Sequence, residues 1–121
     1  MALIDVVTER ALTVLDAWAS VWNRHGNMAD IERPQRRLRF DLAKLPEHVR
    51  PALPLVARLA NGDWRQDQFF ATHDSVLNAE RDIEEELHSV RTQVAQGLPV
   101  TPRWSIDADM GEVPVRRDAI A

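Results

Sequence analysis

The sequence predicts a mainly α-helical fold, a small bundle of two long and two short helices with an extended or β-hairpin C-terminal arm. Apolar residues recur at helical spacing near both ends of residues 1–98. Helix-ending glycines follow these stretches. The last stretch, residues 99–121, contains three prolines and has no helical period. The chain of 121 residues is therefore expected to form one helical domain, residues 1–98, followed by an arm at 99–121.

The first long helix is predicted at residues 3–24, with His25 and Gly26 closing it through a glycine cap. Its apolar face spans about 120°, which is typical of a helix that packs against more than one neighbour. That face consists of Ile4, Val7, Ala11, Val14, Leu15, Trp18, Val21 and Trp22. We expect Trp18 and Trp22 to lie in the core, and the alternative is an exposed aromatic pair at a subunit interface.

Residues 27–35 are predicted to be a connector that contains Pro34. In residues 36–42, Leu38, Phe40 and Leu42 alternate with charged residues. A period of two predicts a short strand or an extended segment, which would need a partner strand to be stable.

Two short helices are predicted between the long ones. The first follows a turn at 46–50 and covers residues 51–61, so that Pro51 and Pro54 fall in or near its first turn. The second covers residues 64–71 and begins with the capping pattern Asp63-Trp64-Arg65-Gln66.

The second long helix is predicted at residues 72–97, with Thr72 or Asp74 as its N-cap and Gly97 in the left-handed position that ends it. The consecutive glutamates 84–86 are expected beside or behind its apolar stripe. That stripe consists of Val76, Ala79, Ile83, Leu87, Val90 and Val94.

The C-terminal arm carries alternating apolar residues on either side of an acidic loop at 107–111, which predicts a hairpin or an extended arm. These apolar residues are Trp104, Ile106, Val113 and Val115. Left exposed, they would form an apolar patch that favours association, so we expect the arm to dock on a surface. Arg116 and Arg117 would then reach acids such as 84–86 on a neighbouring helix.

Composition limits the compartment and the partners. The chain has no cysteine, which excludes disulfides and cysteine nucleophiles and fits a reducing, cytoplasmic location. No signal peptide or membrane span is expected. Fourteen of the fifteen basic residues are arginine, Lys44 being the exception, which points to a bacterium with GC-rich coding or to its phage.

The net charge of −4 disfavours a generic nucleic-acid binder. The charge is uneven, because residues 1–60 carry 9 − 7 = +2 and residues 61–121 carry 6 − 12 = −6.

No cofactor or metal is expected. Glu85-x-x-His88 has the spacing of carboxylate-bridged metal sites, but it occurs once and is expected to face solvent. Asp107-x-Asp109 begins like a calcium loop but has glycine at the fifth position, where a ligand is needed. Glycine-rich phosphate loops and nucleophile elbows do not occur in the sequence, so catalysis by the isolated chain is not expected.

The single basic cluster comprises Arg33, Arg36, Arg37 and Arg39, followed by Phe40. It favours an acidic protein surface as partner, and nucleic acid as the alternative. The leading function is a protein–protein interaction module such as an accessory or assembly subunit or a small inhibitor, and self-association is possible. The other alternative is a small subunit that completes a partner enzyme. The predicted partner-binding residues are Arg36, Arg37, Arg39, Phe40, Trp64, Trp104, Ile106, Arg116 and Arg117.

Overall fold

The computed structural model describes residues 2–22, 27, 29–62 and 72–102, and the backbone alone at 104–107 and 113–116. Its helices are α1 (Leu3–Trp22), α2 (Ala29–Leu42), α3 (Pro54–Asn61) and α4 (His73–Ala95). The mainly helical class is therefore confirmed. The predicted helix at 64–71 and the Gly26 cap lie outside the described residues.

Helix α1 lies between α2 and α4 and runs antiparallel to both. Arg10 Nε lies 3.0 Å from Asp41 Oδ2, so the first half of α1 meets the end of α2. Arg91 Nη2 lies 2.8 Å from Asp5 Oδ1, so the start of α1 meets the end of α4. The two long helices, α1 and α4, therefore pack antiparallel.

The core forms where the apolar faces of α1, α3 and α4 meet, and α2 adds Ile31 and Leu38 to it. The predicted face of α1 is buried through Trp18, which confirms the core interpretation for that residue, while Trp22 is half-buried. The predicted stripe of α4 is buried from Val76 to Val90. Val94 has the same helical phase but is 40% exposed, because it lies in the last turn at the edge of the core.

The prediction for residues 29–42 is wrong, because these residues form α2 instead of the end of a connector and a strand. The alternation of Leu38, Phe40 and Leu42 does not correspond to two faces of a strand, since Phe40 is 65% exposed and Leu38 is fully buried. The buried side of α2 follows a helical period that includes polar residues. Its buried and half-buried positions are Ile31, Pro34, Gln35, Leu38, Asp41 and Leu42.

Helix α2 begins at a cap formed by Asn27 and Asp30. Asn27 Oδ1 accepts a hydrogen bond from the Ala29 N–H, and Asp30 Oδ2 accepts one from the Asn27 N–H. This reciprocal arrangement satisfies backbone donors that the helix itself leaves free. Pro34 removes one helical hydrogen bond, but α2 continues through it because Ile31 and Leu38 on either side are buried.

The first predicted short helix divides into a 3₁₀ helix at Arg50–Ala52 and α3. Pro51 and Pro54 each occupy the first turn of one of these elements, as expected. The N-cap residue of α3 is Leu53, whose side chain offers no acceptor. The free N–H groups of this buried helix end must therefore find acceptors elsewhere in the fold.

Both predicted ends of α4 are confirmed. The Thr72 hydroxyl accepts a hydrogen bond from Ser75 N–H while the Ser75 hydroxyl accepts one from Thr72 N–H, which is a capping box. Gly97 adopts a φ of 68°, and Leu98 N–H donates to the carbonyl of Gln93 at 2.9 Å. This is the left-handed glycine ending of a helix.

After Gly97 the chain turns back onto the helices. Val100 packs partly against the core, and Thr101 forms hydrogen bonds with the side chain of Gln93. Strands β1 (Trp104–Asp107) and β2 (Val113–Arg116) then pair antiparallel. The connecting residues lie outside the described part, so the hairpin as a whole and its docking remain predictions.

Candidate functional site

The arginines predicted to form one basic stripe lie on different sides of α2. Arg36 points to solvent and pairs with Glu32, one turn earlier, at 2.9 Å. Arg39 turns toward α3, where its Nη1 donates a hydrogen bond to the Ala60 carbonyl at 3.0 Å. Only Arg33 and Arg37 remain on the side that faces α1. The structure therefore does not present the strand-like row of arginines that the sequence suggested.

Arg33 and Arg37 line a cleft between α1 and α2 with a volume of about 350 Å³. The other residues that line this basic cleft are Arg10, Thr13 and Pro34. Arg33 and Arg37 are four residues apart on one helix, so their side chains start about 5–6 Å apart. Arg10 joins them from the opposite helix, which a reading of the linear sequence did not reveal.

Arg10 is held in place by Asp41. Its Nε donates to Asp41 Oδ2, and Asp41 is itself nearly buried and has Lys44 3.7 Å away. This hydrogen bond uses Nε, so the two terminal nitrogens of Arg10 are left for another acceptor. Arg33 and Arg37 form no ion pair with any residue that the structure describes.

The cleft carries a local excess of positive charge. The three arginines that line the cleft carry +3, and Asp41, which pairs with Arg10, reduces this to 3 − 1 = +2. In a chain whose net charge is −4, this concentration of positive charge is a local feature that bulk composition conceals.

Phe40, the predicted stacking residue, is exposed but is not among the residues that line the basic cleft. Lys44 Nζ lies 4.2 Å from the centroid of its ring, which is a cation–π contact. One face of the ring is therefore already occupied within the chain.

A second depression, the apolar groove, has a volume of about 360 Å³ and lies where the start of α1 meets the end of α4. Its lining is mostly aliphatic and includes Val94, Leu98 and Val100, with His48 at its margin. Leu98 is 52% exposed.

Glu86 was predicted beside or behind the apolar stripe, and that prediction is wrong because its side chain is fully buried. Its two carboxyl oxygens accept hydrogen bonds from Leu55 N–H and Val56 N–H, each at 3.0 Å. These are the two free donors at the start of α3, so α4 supplies the cap that Leu53 lacks. Arg116 and Arg117 therefore cannot pair with this glutamate as expected.

Burial raises the pKa of Glu86 to about 8, although the hydrogen bonds from Leu55 and Val56 lower it. The pKa of Glu80 is also raised, first by burial and then by the nearby negative charges of Glu84 and Asp16. The carboxyl of Glu86 is enclosed by the backbone of α3, so its chemistry is that of a helix cap.

The remaining predicted site residues are distributed as follows. Trp64 and Arg117 lie outside the described residues, and Trp104, Ile106 and Arg116 are described only by their backbone. Within the described part, no group of three or more histidine, aspartate or glutamate side chains is arranged to hold a metal ion. In the Glu85-x-x-His88 pattern, which was expected to face solvent, His88 is exposed and Glu85 is half-buried.

Comparison of this chain with protein-family models, with curated proteins and with solved structures gives no match. None of the helices in the described ranges is long and apolar enough to cross a membrane.

Proposed function

We propose that this protein is a non-catalytic interaction module that binds an acidic segment of a partner protein through the basic cleft. The observation that carries the proposal is the convergence of Arg10, Arg33 and Arg37 on one depression. In the described part of the chain, no acidic side chain forms an ion pair with Arg33 or Arg37.

Such an arrangement has a physical cost that a ligand would relieve. Arg33 and Arg37 repel each other across one helical turn, by about 0.2–0.5 kcal/mol. A bound carboxylate would replace that repulsion with charge-assisted hydrogen bonds, which are stronger than neutral ones. Arginine is also the basic residue whose planar, forked donors suit carboxylates best.

Nucleic acid is the alternative ligand, and the chain as folded supports it less. Successive phosphates need a row of free cations, but Arg36 is paired with Glu32 and Arg39 with the end of α3. Binding an acidic segment is also compatible with a role as a small subunit that completes a partner enzyme. That role describes the activity of the partner, whereas the proposal describes how the cleft binds it.

The proposal is tested with a fluorescently labelled glutamate-rich peptide whose binding is followed by anisotropy. In the variant R33E/R37E, two attractive contacts become repulsive, and we expect binding to weaken about tenfold or more. The control R36E changes the charge by −2, as each of the two cleft substitutions does, on the same helix outside the cleft, and its effect should stay within about twofold.

Salt and a second probe complete the test. Binding of the peptide should weaken as ionic strength rises, because the cleft is open to solvent. An oligonucleotide of equal charge serves as the competitor. If the oligonucleotide binds more tightly than the peptide, or if R36E weakens peptide binding as much as R33E/R37E, the proposal is wrong.

A further inference from the structure

The basic cleft has a geometry that distinguishes among acidic ligands. Its three arginines come from two helices and line one depression of about 350 Å³ instead of following one another along a single strand or helix. A convergent set of donors suits one compact group with several acceptor oxygens. A carboxylate offers two oxygens, whereas a phosphate monoester offers three and carries a charge of about −1.5 to −2 at neutral pH.

We infer that the basic cleft is a phosphoryl-binding site, and that its ligand is a phosphorylated side chain of a partner protein. This inference rests on the proposed function, because it specifies the chemistry of the acidic segment that the same cleft would take.

The positioning of Arg10 supports a ligand with directional hydrogen bonds. Asp41, itself nearly buried, fixes Arg10 through Nε at 3.0 Å and leaves the two terminal nitrogens available. A guanidinium held in this way loses less conformational freedom when it binds an oxyanion. Opposite it, Arg33 and Arg37 are anchored on α2, with Pro34 forming part of the wall between the two helices.

Thr13 contributes shape instead of a donor. Its hydroxyl donates to the Glu9 carbonyl at 2.9 Å, so its only proton is already used. The donors available to the ligand are therefore those of the three arginines, and they match the acceptor-rich, donor-free surface of a phosphate dianion.

The same geometry argues against the phosphodiester backbone of a nucleic acid. A diester group carries a single negative charge and is followed by others along a strand, so tight binding needs further cations beside the first site. Arg36 and Arg39, the arginines next to the cleft on α2, are engaged by Glu32 and by the Ala60 carbonyl.

The test uses the full chain and two peptides that are identical except at one central position, phosphoserine in one and glutamate in the other. We expect isothermal titration to show that the phosphopeptide binds at least about fivefold more tightly. Inorganic phosphate should displace it. The preference should shrink as pH is lowered from 7.5 to 5.5, because the phosphate loses its second charge near pH 6.

Three variants assign the effect to the cleft, each first shown by circular dichroism to be folded. R33Q/R37Q should abolish the preference for the phosphopeptide. R37K keeps the charge but loses the forked donor, so it should weaken phosphopeptide binding. R36Q, the control on the same helix, should leave both affinities within about twofold.

Each contrary outcome has a distinct meaning. Equal binding of the two peptides overturns the phosphoryl assignment and leaves the proposed function intact. If neither peptide binds, both are wrong. If an oligonucleotide binds more tightly than either peptide, nucleic acid replaces the protein partner.

Discussion

Polar side chains surround α3 and the basic cleft alike, but they are used differently in the two places. At the start of α3, both oxygens of Glu86 accept backbone N–H groups. At its end, Gln35 donates to the Leu59 carbonyl at 3.0 Å, and Arg39 donates to Ala60. In the cleft, Arg33 and Arg37 have no such acceptors among the described residues.

The difference separates residues that hold the fold together from residues that remain free to bind. Helix α3 has only eight residues, and an isolated helix of that length is not stable in water. Its ends are therefore completed by α4 and α2, and removing those side chains should destabilise the domain. Removing Arg33 or Arg37 from the cleft should cost binding and leave stability almost unchanged.

The largest effect on stability is expected for E86A. It leaves the N–H groups of Leu55 and Val56 buried without acceptors, at about 1–3 kcal/mol each, so the free energy of unfolding should fall by about 2–6 kcal/mol. Urea denaturation measures this fall. E84A is the matched control, because Glu84 is exposed on the same helix and its loss should change the value by less than about 0.5 kcal/mol. Similar losses for both variants would mean that Glu86 does not cap α3.

The next effect is a pH dependence. The pKa of Glu86 is 4.5 in the unfolded reference and about 8 in the folded chain, so between these values the folded chain binds more protons. The free energy of unfolding should therefore decrease as pH rises from about 5 to 8, by at most about 1.4 kcal/mol per unit.

The variant E86Q isolates this contribution, because an amide does not titrate. Subtracting its pH profile from that of the original chain removes the contributions of Glu80 and all other groups. The difference should slope downward with pH, and a flat difference would show that Glu86 titrates normally.

A smaller loss is expected for R39A at the other end of α3. It removes the hydrogen bond to the Ala60 carbonyl and a positive charge near a helix C-terminus, which together contribute about 0.5–1.5 kcal/mol. Thermal melting of R39A and R36A compares the two positions. Arg36 makes an exposed ion pair with Glu32, so R36A should cost no more than about 0.5 kcal/mol. An equal loss of stability in R36A and R39A would contradict the conclusion that Arg39 supports the fold whereas Arg36 does not.

The smallest effect is expected in the cleft itself. R33Q removes a like-charge repulsion with Arg37 across one helical turn, so stability should stay the same or rise by a few tenths of a kcal/mol. Denaturant unfolding of R33Q at low salt measures the change. A loss greater than about 1 kcal/mol would show that Arg33 has a structural partner.

Local signals in the sequence were sufficient for the long helices. Thr72 and Gly97 mark the ends of α4 by side-chain chemistry and by a positive φ, and both act within a few residues. The apolar face of α1 is likewise regular, and its residues are buried as predicted through Trp18.

Helix α2 was missed because its buried side contains polar residues. Gln35 is satisfied by carbonyls of α3 and Asp41 by Arg10, contacts that only the tertiary structure supplies. When these contacts are unknown, only the apolar residues of this segment indicate its structure, and they alternate with a period of two, as in a strand. The Asn27-x-x-Asp30 pattern was the local signal that could have marked the start of this helix.

The cap of α3 and the basic cleft could be predicted from the sequence to different extents. The sequence indicates that α3 needs a cap from elsewhere in the fold, because Leu53 and Pro54 offer no side-chain acceptor. Glu86 is a candidate for that cap, because its helical phase is close to that of the α4 stripe. Only part of the basic cleft could be predicted from the sequence. Arg33 and Arg37 stood out as a cluster, but Arg10 joins them only because α1 and α2 pack side by side.

A phosphate titration followed by the Nε–H signals of the arginines in ¹H–¹⁵N NMR spectra tests directly whether the basic cleft binds a phosphoryl group. Arg33 and Arg37 should shift in a saturable way, while Arg36 and Arg39, which already have partners, should shift little. Uniform small shifts of all arginines, or larger shifts at Arg36 than at Arg37, would contradict the assignment of the basic cleft as the binding site.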